Sequence, residues 1–186
     1  MASTQPVPLD RPSSTASLTH AADAAMEANL KLQRVTLLYE GMPAALAAGL
    51  GCALALVVVD WQVLPQNWLL AWLTYHMILS IGRYLLVRSF RATKPTTSTS
   101  QRWHRAFLTG TTLAGLGWGA SALILFPESS PTHQVFLAFV LAGVSAGASS
   151  TLAARFDAFL SFALPTLTPL ILRFFFLNHE HALPMA

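Results

Sequence analysis

The sequence predicts an all-α, polytopic transmembrane helix bundle of about five spans, preceded by a juxtamembrane amphipathic helix. Three observations predict it. Of the 186 residues, 54% are hydrophobic and only 10% charged, whereas soluble domains carry about 25% charged residues. Apolar runs recur at close to the roughly 20 residues a helix needs to cross a bilayer. Lysine and arginine fill every second connection and leave the others empty, as the positive-inside rule requires.

Residues 1–18 are rich in Ser, Thr and Pro and are expected to form a disordered tail. The first apolar run begins only near Met42, so the N-terminus does not read as a secretory signal. Residues 19–41 read as the juxtamembrane helix. Asp23 and Glu27 lie early and Lys31 and Arg34 late, in keeping with the helix dipole, and Glu27 with Lys31 is an i, i+4 pair. Met26, Leu30, Leu37 and Leu38 form a partial apolar stripe, suited to a membrane surface or a short coiled coil with a second copy.

The spans of the bundle, residues 42–177, are expected at 42–59, 68–87, 106–126, 135–154 and 156–177, with a short outer tail over 178–186. Trp61, Trp68, Trp72 and Trp103 fall near the expected interfaces, where amphipathic rings settle. Asp157 and Arg173 flank the core of the fifth span.

Orientation follows from the loops. Lys31 and Arg34 precede the first span; Arg88, Arg91, Lys94, Arg102 and Arg105 surround the second connection; Arg155 sits in the turn between the fourth and fifth spans. The connections at 60–67 and 127–134 contain no lysine or arginine. Five spans then place the N-terminus in the cytoplasm and the C-terminus outside.

Composition also removes function classes. The net charge of +3 is spread in short clusters between apolar runs, with no aromatic-basic stripe or recognition helix, so nucleic acid is not an expected partner. The single cysteine, Cys52, allows no internal disulfide and no thiolate metal site, and reads as a small packing residue. There is no Walker loop, no HExxH and no GxSxG elbow, so no catalytic activity, metal or cofactor is expected of the chain.

The candidate ligand-binding residues are His76, Ser80 and Arg83, which share one face of the second span at i, i+4 and i+7. A charge in the apolar core costs a few kcal/mol. Arg83 is about one turn from Arg88 and is expected to snorkel to the cytoplasmic surface, whereas His76 lies deeper and should face the interior. No second histidine lies at similar depth, which argues against haem. Gly115 and Gly119 form a GxxxG, as do Gly143 and Gly147, and with Trp118 they are expected to shape helix packing within the chain or, alternatively, a homodimer face. Pro165 and Pro169 are expected to kink the fifth span.

Several ordered landmarks carry a resemblance. Tyr39-Glu40-Gly41-Met42-Pro43 opens the first span, Trp103-His104-Arg105-Ala106-Phe107 the third, and His133-Gln134-Val135-Phe136 the fourth, with Pro165, Pro169 and Arg173 in the fifth. Over residues 38–173 this pattern resembles the N-terminal multi-helix membrane region of bacterial diguanylate cyclases with GGDEF domains and of hybrid sensor histidine kinases. The resemblance implies an inner-membrane sensory module that passes a signal to a cytoplasmic output domain or protein. The sequence departs from that pattern in having no GGDEF, EAL, PAS or kinase segment, and is therefore expected to be a truncated or isolated sensor. The rival readings are a small transporter or channel subunit, or a structural membrane partner.

Overall fold

The structure is a computed structural model that describes residues 12–182 other than Lys94 and Ser129, with side chains described over 18–175. Five helices account for it: α1 (Pro12–Asp60), α2 (Gln66–Thr93), α3 (Ser100–Ile124), α4 (Pro131–Thr151) and α5 (Phe156–Ala182). Each is long and apolar enough to cross a membrane, and the chain is a multi-pass membrane bundle. The helices alternate in direction and close into a ring in the order α1, α2, α3, α5, α4, with α3 and α5 in the most extensive contact.

The expected juxtamembrane helix and first span are one continuous helix that runs through Pro43. It begins at Pro12, inside the segment expected as a tail; residues 1–11 of that segment lie outside the described residues. The expected outer tail is helical as far as Ala182, and 183–186 lie outside. Along α1 the buried face is Val35, Leu38, Tyr39 and Met42, while Met26, Leu30 and Leu37 are exposed. Of the expected stripe, only Leu38 turns into the bundle.

One end of the bundle is fixed by aromatic and charged contacts. The Tyr39 ring stacks on Phe90 with centroids 3.9 Å apart, and its hydroxyl donates to the Trp103 carbonyl at 3.0 Å. Three helices are thereby joined where α2 ends and α3 begins. Beside them, His104 Nε2 lies 2.7 Å from Asp157 Oδ2, and Arg155 donates to both Asp157 oxygens at 3.1 Å. The acid that flanks the fifth span is therefore neutralised where α5 starts. At the opposite end Arg173 pairs with Glu128 and lies over the Phe126 ring.

The α3–α5 seam depends on small residues and on proline. Proline at 169 supplies no N–H to the Pro165 carbonyl one turn earlier. That freed oxygen faces Gly119, where a Cβ would collide with it. One turn away, a Cβ on Gly115 would come within 2.6 Å of the Phe162 carbonyl oxygen. Thr166 Oγ1 donates to that same Phe162 oxygen at 2.7 Å and to the Gly115 carbonyl at 3.3 Å. Backbone approaches backbone because glycine leaves the space, as small residues permit in membrane bundles. Helix α5 runs unbroken through both prolines.

Candidate functional site: a cavity among the five helices

A cavity of about 330 Å³ opens in the half of the bundle nearer the basic connections. All five helices contribute to its wall. Small residues of two helices line it: Ala45, Ala48 and Gly49 on α1, and Gly143 and Gly147 on α4. A Cβ added at Gly143 or Gly147 would meet nothing within 4 Å. These glycines therefore border space rather than a closely packed neighbour, unlike Gly115 and Gly119, although the two pairs have the same spacing. Cys52 is unpaired and also lines the cavity.

Helix α2 presents His76, Ser80 and Arg83 to the cavity together. The 3.6-residue period puts them on one face, and the α2–α3 seam sets the rotation of that face. Trp72 Nε1 donates to the Gly117 carbonyl at 2.7 Å, and the Tyr75 hydroxyl donates to the Leu113 carbonyl, one helical turn away, at 2.8 Å. Trp72, expected at an interface, is only 6% exposed. It stays inside because its indole N–H has found a carbonyl acceptor.

His76 is 6% exposed. Its ring is packed between Trp72, with centroids 4.4 Å apart, and Trp118, at 4.9 Å. Gly117 lies beside it: a Cβ there would come within 3.0 Å of His76 Nε2. Nε2 itself is buried and makes no hydrogen bond.

Arg83 is half-buried and lies against α3. Its stem crosses α3 over Gly110, where a Cβ would stand 3.3 Å from Arg83 Cγ. The stem occupies the space left by that missing side chain. Its Nε is buried without a hydrogen-bond partner, and it is the sole charged side chain among the described residues lining the cavity. The wall also carries hydroxyls. Those of Thr111, Ser150 and Thr151 donate to carbonyls of their own helices, which leaves their oxygen lone pairs as acceptors. The cavity is thus apolar over most of its surface, with one cation, one imidazole and a few hydroxyls. Among the described residues no group of three or more His, Cys, Asp or Glu side chains could hold a metal ion.

Sequence reasoning did not single out the contributions of α1 and α4 to this wall, nor Gly110. Small residues were visible in both helices, but spacing alone does not distinguish a packed glycine from one beside a void. A second omission is Asp60, which closes the apolar run of α1. It is fully buried, and neither carboxylate oxygen has a hydrogen-bond partner.

Fold and site together define the class: a multi-pass helical membrane bundle with a mostly apolar cavity between its helices. No protein-family model matches the chain, and no curated protein or solved structure matches it.

Proposed function

We propose that the chain is a membrane-embedded sensory input module of a bacterial inner-membrane signalling system, of the kind that serves a diguanylate cyclase or histidine kinase output. Its N-terminus would lie in the cytoplasm. The observation that carries this reading is the cavity, to which all five helices contribute and whose wall includes a half-buried arginine and a buried histidine. Binding sites in membrane proteins recur between helices with a few convergent polar groups in an apolar wall, and an ionisable residue at membrane depth is a functional signal by default. Helix α1 adds the second support, because one unbroken helix lines the cavity and continues beyond the bundle. The landmarks shared with bacterial sensor regions, from Tyr39 through Trp103 to Pro169, support the same reading. The cytoplasmic output would be a separate protein or domain.

Hydrogen–deuterium exchange tests it on the full chain in lipid nanodiscs. Gly143→Leu would add a side chain at the cavity wall, where nothing occupies the space beside that residue. A module that reads cavity occupancy should then alter amide protection over residues 19–41, away from the substitution. Unchanged protection there would count against an input role. The orientation is tested separately by alkaline phosphatase and fluorescent-protein fusions after Ala186: phosphatase activity without fluorescence is expected.

A further inference from the structure

We infer that the cavity is a binding site for an amphiphilic monocarboxylate, with its carboxylate on the Arg83 guanidinium and its hydrocarbon chain between the small-residue faces of α1 and α4. The inference rests on the sensory reading for its biological meaning, but the chemistry stands on the site itself.

The cation comes first. A guanidinium held among apolar helices is costly unless it finds a counter-charge, and no Asp or Glu is found among the described residues lining the cavity. Arg83 Nε has no acceptor among the described residues, and the side chain lies over Gly110 of α3. A planar guanidinium suits a carboxylate, which can accept two parallel N–H bonds. Ser80, one turn away on the same face, brings a hydroxyl to the wall beside it. The occupant therefore supplies the negative charge.

Its other end must be apolar. The α1 and α4 walls include Ala45, Ala48, Gly49, Gly143 and Gly147, none of which offers a polar side chain. Along α1 the lining runs from Ala44 to Cys52, about 12 Å of helix, which an extended decanoate chain can follow. His76 and Trp118 also face the cavity, so a ligand there lies within quenching range of an indole. A dianionic or sugar-bearing ligand would leave charges and hydroxyls unpaired against alanine and glycine, at a substantial desolvation cost.

Bromodecanoate is the probe for the test, with tryptophan quenching read on the full chain in zwitterionic nanodiscs. Saturable quenching is expected. Arg83→Gln should weaken it about tenfold or more, as when one partner of a buried charge pair is removed, while Arg83→Lys should weaken it less. Gly143→Leu should abolish the saturable component and leave only the linear quenching that comes from dissolved lipid. Bromodecanol, which has the same chain without the charge, should bind at least about tenfold more weakly. Equal midpoints for the acid and the alcohol would overturn the proposal, as would saturable quenching that persists in both Arg83→Gln and Gly143→Leu. Displacement of bromodecanoate by lysophosphatidate at lower concentration than by decanoate would overturn the carboxylate in favour of a lipid phosphate. The two readings fail separately. Saturable binding with no change in exchange over 19–41 would leave this site standing and remove the sensory role; the reverse result would remove the ligand class alone.

Discussion

The carbonyl oxygen of Pro165 faces Gly119 so closely that no Cβ would fit between them. Pro169 frees that carbonyl from its own helix, and the glycine gives it room. Adding one methyl group would force α3 and α5 apart along their most extensive contact. Gly119→Ala should therefore destabilise the bundle by about 1–3 kcal/mol, the usual range for overpacking. Gly143→Ala, with nothing within 4 Å of its new Cβ, should change stability by less than about 0.5 kcal/mol. Unfolding of both variants in mixed detergent micelles checks the contrast, and equal losses would refute the distinction between the two GxxxG pairs.

Arg83 makes the opposite kind of prediction. Its buried Nε has no hydrogen-bond partner among the described residues, so its retention works against stability. Arg83→Met keeps much of the stem volume and removes the charge. The variant should unfold at higher denaturant, with a gain of about 1–3 kcal/mol by analogy with the replacement of buried ions by apolar residues. A loss of stability would mean that the guanidinium is satisfied in the resting protein.

His104 depends on Asp157. The imidazole is 7% exposed and its Nε2 lies 2.7 Å from the carboxylate, while its Nδ1 already lacks a partner. Asp157→Ala would leave both ring nitrogens without an acceptor or donor in the bundle, at a cost of about 1–3 kcal/mol. Glu128→Ala at the other end should cost under about 1 kcal/mol, because Glu128 is 72% exposed and its pair with Arg173 is screened by salt. Unfolding at low and high ionic strength separates the two: only the Glu128 effect should fade with salt.

Tyr39→Phe retains the stacking on Phe90 but removes the hydrogen bond to Trp103. It should cost about 0.5–1.5 kcal/mol. Tyr39→Ala should cost about 3–5 kcal/mol, since the side chain is 1% exposed and touches three aromatic neighbours. A thermal unfolding series across the two variants checks the ratio.

The helices were legible in the sequence because membrane crossing imposes a length and an apolar composition, and both are local properties. The shared face of His76, Ser80 and Arg83 was legible for the same reason: it follows from the period of one helix. What the sequence did not disclose depends on two helices at once. The reading of Arg83 considered α2 alone, and the space over Gly110 that its stem occupies belongs to α3. Gly115–Gly119 and Gly143–Gly147 are indistinguishable in spacing, and the prolines of α5 decide which pair is pressed against a neighbour. The continuity of α1 was obscured by the Ser- and Thr-rich composition of its first turns and by the change to an apolar run near Met42.

That continuity makes α1 a lever. The aromatic cluster grips it at Tyr39, and the cavity-facing arm reaches Gly49 about 15 Å away, while the other arm extends about 40 Å to Pro12. With Tyr39 as the fulcrum, a sideways shift of about 1 Å at Gly49 becomes a swing of about 3 Å at the far tip. A ligand no larger than a short acyl chain would then need to part the cavity walls only slightly for its arrival to be felt well outside the membrane.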